Sequence, residues 1–423
     1  MPKKEKTVTI IQPSYYAQFS CIGPDCTDNC CHDWTVTIDK KHYLQYMGVP
    51  DHAFHEKCKR AILRNKKNKS DADYAIMLLN SGRCLFQDPD GGCGIFRKLG
   101  QDALSDTCTI YPRLQRAVGS DTTWERSLTL SCQEAARLAL LTGQPLQFER
   151  VTASIAPDDR LGSMYTHATM KESDPHYASL QAMRKASIEI MRLHDVPLRD
   201  RILSVGLSLR AADRYLHENK EDRLPALLDQ CVAQAAEGHG TGGGSMFDRM
   251  PYDPVTHRWA ILLPAKHLMT TERAVEKLEM MQVIDGYCEN LGGGRFEIGP
   301  AALDFMRDKA REIGDPFLKR YTQAAENYLV NYIFSSLFPF TYVGEQCSPA
   351  YHAVILAEQY AMLRILLGVM PPREGEDDDA RFIRLIAVLA HITQHRNLGR
   401  DVKAHASQKE GLDTLAYAAY MLR

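Results

Sequence analysis

Nine of the chain's twelve cysteines fall between Cys21 and Cys132, and no other feature constrains the fold as tightly. Clustered thiols become disulfides in an oxidising compartment and metal ligands or redox groups in a reducing one. The apolar run Thr7 to Ile11 is far shorter than a signal-peptide core, and nowhere do eighteen apolar residues run together. The protein is therefore expected to be soluble and cytoplasmic, with its thiols reduced and available to a metal. Cys231, Cys288 and Cys347 lie singly and read as small buried hydrophobes.

The spacing sharpens this reading. Cys21, Cys26, Cys30 and Cys31 share a loop rich in Gly, Pro, Asp and Asn. Asp88-Pro-Asp-Gly-Gly92 is a turn sequence that brings Cys84 and Cys93 together. Cys108 precedes Tyr111-Pro112, and Cys132 lies in Ser131-Cys-Gln-Glu134, which has capping-box spacing. That places Cys132 in a helix's first turn, where the dipole and free N–H groups favour a thiolate. Eight thiols exceed what one structural zinc needs, and paired Cys-x2-Cys knuckles are missing. A four-iron cluster, which takes four thiolates, fits better, with zinc as the alternative. The candidate ligands are Cys21, Cys26, Cys30, Cys31, Cys84, Cys93, Cys108 and Cys132. Cys58, in basic Lys57-Cys-Lys-Arg60, is excluded. The radical pattern Cys-x3-Cys-x2-Cys starts at Cys26 and Cys30 but meets Asp33 at its third position, which argues against radical chemistry.

A length of 423 residues allows two or three domains. Residues 1–150 are expected to form an irregular cysteine-rich metal-binding domain with short strands, among them Val8 to Gln12 and Trp34 to Ile38, and without a conventional apolar core pattern. Residues 151–423 are expected to form a mainly α-helical domain, subdivided near 237–250. Apolar residues recur at helical spacing in 180–216, Thr271 to Met281, Pro300 to Ile313, Pro316 to Leu337, Tyr351 to Leu367, Ala380 to Gln394 and Leu412 to Leu422. The Gly-rich stretch Glu237 to Ser245 follows a predicted helix rather than a strand, so it reads as a loop and no Rossmann fold is expected. A net charge of −2 gives no signature of nucleic-acid or membrane binding. The basic residues Lys57, Lys59, Arg60, Arg64, Lys66, Lys67 and Lys69 could steer an acidic protein partner, but read first as a solvated helix face and loop.

The cysteine run, with Cys84-Leu-Phe, Cys93-Gly-Ile-Phe, Cys108-Thr-Ile-Tyr-Pro-Arg113 and Leu130-Ser-Cys132-x-Glu134-Ala-Ala-Arg137, resembles the cysteine-cluster family of zinc- or iron-chelating proteins. More closely it resembles the flagellin lysine N-methylases, through Gln12-Pro-x-Tyr15, Phe19-Ser-Cys21-Ile-Gly and Glu326-Asn-Tyr-Leu-Val-Asn-Tyr-Ile-Phe334 with Leu337-Phe-Pro339. The resemblance implies methyl transfer from S-adenosylmethionine to flagellin lysines, with flagellin as the protein partner. The cluster alone supports equally a non-catalytic iron–sulfur or zinc protein that binds a partner or delivers metal. Thiol redox chemistry is a third reading.

Lysine methylation needs a proton acceptor and, for the sulfonium, aromatic faces. Glu326, Tyr328 and Tyr332 are candidate catalytic residues, and Asn327 and Asn331 candidate donor-binding residues, because two i,i+4 pairs form neighbouring stripes on one helix. Core packing explains the same pattern. His391 and His395 also stand i,i+4, but without the Glu of a zinc-protease motif they read as ordinary helix residues.

Overall fold

A computed structural model of the chain describes residues 5–27, 29–32, 34–67, 70–156, 172–173, 176–237, 245, 247, 250–269, 274–291, 295–337, 349–394 and 414–423. Asp33, Lys69, the Gly-rich run 238–244, Phe338, Pro339, Cys347 and His395 lie outside these residues.

The first third mixes short strands and helices. In order they are β1 (Lys6–Pro13), β2 (Thr37–Ile38), α1 (Lys40–Met47), α2 (His52–Ala61), β3 (Ile62–Arg64), β4 (Ala75–Met77), β5 (Leu79–Asn80), β6 (Arg83–Cys84), α3 (Gly94–Leu99), α4 (Asp106–Ile110), β7 (Arg113–Val118), β8 (Ser120–Leu128), α5 (Gln133–Leu140) and β9 (Phe148–Ile155). A four-stranded sheet runs β7-β8-β1-β9, with β1 parallel to β8 and antiparallel to β9, and a three-stranded one runs β2-β4-β3. The β7–β8 hairpin turns at Gly119, whose φ of +77° suits a residue without a Cβ. Strand β9 crosses position 150, so the larger sheet draws on both sides of it.

Two differences from the sequence reading have simple causes. This region does hold apolar cores: Val36, Ile38, Tyr46, Cys58, Ile62, Met77, Phe86 and Ile95 form one, and Val8, Ile10, Ala117, Trp124 and Ile155 another. Each element contributes only one or two residues, too few to print a period. Only Thr37–Ile38 of the expected Trp34 to Ile38 strand is extended and paired. Trp34 instead turns back, its indole N–H donating to the Cys30 carbonyl at 2.5 Å and its ring lying 5.5 Å from that of Tyr111.

The remainder is helical: α6 (Tyr177–Met191), α7 (Leu198–His217), α8 (Leu224–Glu237), α9 (Pro254–Met269), α10 (Ala274–Ile284), α11 (Pro300–Lys309), α12 (Asp315–Arg320), α13 (Thr322–Tyr332), α14 (Pro349–Val369), α15 (Asp378–Gln394) and α16 (Thr414–Leu422), with a hairpin, β10 (Cys288–Leu291) and β11 (Arg295–Ile298). The mainly α architecture agrees with the sequence reading. The long Pro316 to Leu337 segment is broken at Tyr321, and wide π turns follow α11 and α13 at Ala310–Gly314 and Ile333–Leu337. The first π turn presses on α14 through two glycines: a Cβ at Gly368 would lie 2.6 Å from the Lys309 backbone, and one at Gly314 2.5 Å from the Arg364 carbonyl oxygen. Tyr351–Val369 is long and apolar enough to cross a membrane, yet 94% of its most apolar window is buried inside the protein.

One core joins the two regions. Tyr15, Leu128, Leu130, Ala135, Ala139 and Leu146 pack in the same cluster as the helices. Buried polar groups fix the join. Glu125 of β8 accepts from Arg116 of β7 and Arg184 of α6, and Arg116 donates also to the Phe334 and Ser335 carbonyls. These two cations outweigh the burial that would raise the Glu125 pKa and hold it at about 2. In α13, Asn327 accepts from the Leu146 N–H at 2.9 Å and donates to the carbonyls of Ala139 (3.2 Å) and Gln144 (2.9 Å). Asn331 accepts from the Tyr15 hydroxyl at 2.6 Å. Glu326 pairs with Arg201 of α7 at 2.6 Å, both essentially inaccessible, and Arg201 also caps the Met191 and Val196 carbonyls.

Removing one partner of such a pair strands a buried charge, whereas removing both does not. Arg201→Met is expected to cost about 3–5 kcal/mol, with most of the loss recovered in Arg201→Met/Glu326→Leu. Urea unfolding of the three proteins measures this, and a single variant as stable as the parent would contradict it.

Candidate metal centre and buried polar core

Turns and short ladders position the cysteines. The Asn29 side chain accepts from the Cys31 N–H at 3.0 Å, and the Cys84 N–H donates to the Cys31 carbonyl at 2.8 Å, tying the first loop to β6. An isolated bridge between His32 and Arg83 extends that contact. The expected turn at Asp88 forms: Gly91 N–H donates to the Asp88 carbonyl at 2.9 Å, Gly91 takes φ +86°, and Gln87 bridges to Cys93. Ser105 caps α4 by accepting from the Cys108 N–H at 3.3 Å. Beneath this, buried His42 of α1 holds Asp39 through Nδ1 at 2.7 Å and the Asp102 carbonyl through Nε2 at 3.2 Å. Asp39 accepts from the Asp106 N–H at 3.1 Å, which anchors the α4 start. Burial works to raise the Asp39 pKa, but its bonds to His42 and to backbone N–H groups hold it at about 2.

Four thiols lie within electrostatic reach of one another here. Cys84 and Cys93 each feel the charge of Cys30, and Cys108 feels Cys30, Cys93 and Cys84. Burial, and then these neighbours, push all three thiols up, Cys108 to about 12. Cys132 feels Cys26 and Cys30, and burial raises it to about 12 despite the N–H groups of Ala135 and Glu134 that favour its thiolate. A helix start alone therefore does not make Cys132 a thiolate: desolvation outweighs it. The Thr27 hydroxyl donates to Gln133 at 2.7 Å, joining the Cys26 loop to α5. Cys132 is the residue preceding α5 rather than one within its first turn, and no capping box forms. Ser131 is engaged by Tyr111 and Thr129, and Glu134 by Arg137.

Thus six of the eight candidate ligands are linked electrostatically, with Cys30 common to both groupings. Cys21 is exposed and Cys31 half-buried, joined to the centre through its backbone. Cys58 packs in the small apolar core, its thiol pushed to about 11 by burial. Desolvated thiols that repel one another as anions are a donor set a cation would stabilise, so these residues fit a metal. Their spacing bears on which. Among the described residues the group of three ligand-type side chains with atoms within 4.8 Å of one another is Asp39, His42 and Asp106, with no cysteine in it. A tetrahedral zinc site would draw sulfurs to about 3.8 Å apart, given Zn–S bonds of about 2.3 Å.

The α13 residues lie elsewhere, deep in the helical core. Glu326 and Asn327 serve the ties described above. Tyr328 donates to Gln359 of α14 at 2.6 Å, and its ring lies 6.5 Å from that of Tyr332. Burial raises the pKa of both tyrosines, and at Tyr332 the charge of Glu358 adds to it. Beside them stands a pair that sequence reasoning missed, His267 of α9 and Glu358 of α14, with Nδ1 and Oε1 2.7 Å apart. The two are 91 positions apart and neither lies in a recognisable motif. Of the basic segment, Lys57 and Lys59 pair with Asp88 and Glu56, and Arg64 covers the Tyr74 ring.

Comparison with known proteins places this architecture. The family model described as FliB lysine N-methylase C-terminal domain matches residues 184–421. Over 129 residues the chain is 33% identical to the lysine-N-methylase of Salmonella choleraesuis (strain SC-B67), covering 30% of this chain and 32% of that protein. Over 129 residues it is 32% identical to the flagellar biosynthetic protein FliU of Salmonella muenchen, covering 30% of this chain and 75% of that protein. The match thus spans about a third of the length of the Salmonella choleraesuis lysine-N-methylase. No solved structure is significantly similar.

Anaerobically purified protein is expected to carry tightly bound metal. Cys93→Ser and Cys108→Ser should lose it, and Cys58→Ser should keep it. Elemental analysis checks this; equal metal in all three variants would remove the centre as drawn.

Proposed function

The chain belongs to the FliB lysine N-methylase family, and on that footing we propose that it transfers methyl groups from S-adenosylmethionine to lysine side chains of flagellin, with an iron–sulfur cluster holding its cysteine-rich region together. The observation that carries the reading is the family match over 184–421. It covers the helices that enclose Tyr328, Tyr332, His267 and Glu358. The relatives' names supply the reaction and the flagellar setting. S-adenosylmethionine is the methyl donor of choice because its sulfonium methyl is open to in-line attack by a neutral amine.

In this reading the two sites divide the work. Cys30, Cys84, Cys93 and Cys108 are the ligand set we assign to a four-iron cluster, since a cluster takes four thiolates and tolerates wider sulfur spacing than a single zinc. Cys26 and Cys132 flank it. Methyl transfer requires no electron from a cluster, so its contribution is to fix the loops between β1 and α5. That matters because Tyr15, just past β1, and the end of α5 with the turn that follows it to Leu146 are the groups that Asn331 and Asn327 hold. Among the candidate residues, Tyr328, Asn331 and Tyr332 are assigned to the reaction chamber and Glu326 and Asn327 to its support. Aromatic faces there suit both a sulfonium and a methylammonium.

Incubation of metal-replete protein with S-adenosylmethionine and unmodified flagellin is expected to add methyl mass to flagellin lysines, detected by peptide mass spectrometry. The protein should be brown, with iron and sulfide in equal amounts. No added methyl mass would reject the enzyme reading, and a colourless zinc protein the cluster.

A further inference from the structure

Four helices and a π turn close around a small cavity in the helical region. His257 lines it from α9, Arg307 from α11, Arg364 and Ile365 from α14 and Met421 from α16, beside the π turn that follows α11. The rest of its wall is alanine and isoleucine. Its free space takes about one particle of water size.

The wall offers donors and almost no acceptors. No lining side chain carries an oxygen. His257 is 2% exposed. Its ring makes no hydrogen bond among the described residues, and Nδ1 is buried without a partner. Arg307 donates through Nε to Asp308 at 2.7 Å, and through Nη1 to Asp304 at 2.8 Å and the Tyr252 hydroxyl at 3.2 Å. Its Nη2 has no acceptor among the described residues. Arg364 holds Asp315 through Nε and Nη2, and Nη1 makes one long bond, 3.3 Å, to the Leu422 carbonyl. Buried side-chain atoms without a partner occur elsewhere, as at Arg192 and Thr393. At His257 the unpaired atom belongs to a residue that borders open space, with guanidinium groups around it.

Charge is also uneven here. Arg258 and Arg307 share Asp304, Arg307 also holds the exposed Asp308, and Arg364 holds Asp315. Arg311 and Arg423 have no side-chain carboxylate partner among the described residues and lie instead over the Tyr252 ring, at 5.4 and 5.0 Å. That ring is 5.8 Å from the His257 ring. Two guanidinium charges therefore stand uncompensated beside the cavity. Burial, then the charges of Arg311, Arg364, Arg307 and Arg423, lowers the His257 pKa to about 3. The imidazole is thus neutral and keeps one N–H to give.

We propose that this cavity is a halide site, in which chloride accepts from His257, Arg307 and Arg364 and offsets the surplus guanidinium charge. Size selects the ion. A halide is close to water in size, whereas a phosphate or carboxylate group needs several times that space. Charge selects it over water: an anion accepts from every donor of the wall and asks for no acceptor in return. A cation meets only donors there. The ion joins α9, α11, α14 and α16 next to the place where Gly314 and Gly368 press the π turn onto α14, so its effect is on the packing of the helical core. The assignment is independent of the methyl-transfer reading.

Scanning calorimetry of the full chain in sodium gluconate, exchanged stepwise for sodium chloride or bromide at constant ionic strength, tests it. A ligand bound by the folded state alone raises the melting temperature progressively with its concentration, and that rise is expected for both halides and not for phosphate. His257→Leu and Arg307→Met should weaken the halide response tenfold or more in concentration while keeping the parent's dependence on ionic strength. Bromide-soaked crystals of the parent should show anomalous density beside His257, a readout that stands even if the variants do not fold. A melting temperature set by ionic strength alone, or raised as much by phosphate as by chloride, would overturn the site. So would bromide-soaked crystals with a water in the cavity.

Discussion

The structure depends on a single helix whose buried face is polar. In α13, Glu326, Asn327 and Asn331 would each be costly to bury alone, and each is satisfied by a different part of the chain. Glu326 takes Arg201 of the helical part, Asn327 takes the turn after α5, and Asn331 takes Tyr15. Because an unmet buried polar group costs about 1–3 kcal/mol, the helix can be buried only when those segments are in place. Docking of the cysteine-rich region and completion of the helical core are therefore one event. The Glu125 cluster repeats the device at the sheet, where one carboxylate serves two arginines and Arg116 also donates to the π turn after α13.

This coupling gives the candidate metal centre a reach its position would not suggest. The thiols sit among short elements whose own cores are small, the setting in which a metal contributes folding energy outright. Whatever orders the loops from Cys26 to Cys132 also orders α5, and α5 leads into the turn that Asn327 caps. A metal held by these thiols would act on the helical core through this chain of backbone contacts.

How much was legible beforehand varies with the physics. Helices such as α14 and α15 were read from periodicity because packing on one core imposes it. Helix α9 was not, since Pro264 sits inside it and apolar residues surround it on most sides. The two small cores near the thiols escaped notice because each element supplies only a residue or two. The cysteine loop and the Asp88 turn were read correctly, since turn chemistry is local. Which thiols act on one another is a three-dimensional fact: nothing in the spacing singles out Cys30, yet its charge is among those that raise the Cys84, Cys93 and Cys108 thiols.

The α13 stripe shows the limit most clearly. Five polar or aromatic residues at helical spacing mark a face with special duties, but the pattern alone does not say whether those duties are support or chemistry. The structure divides them by partner. Asn327 spends its amide wholly on backbone groups of the chain, and Glu326 has a permanent guanidinium beside it, so neither has much left to offer a substrate. Asn331 and Gln359 keep free donors in the interior, next to residues that feel the Glu358 charge. Where polar groups are fully paired the protein is building itself.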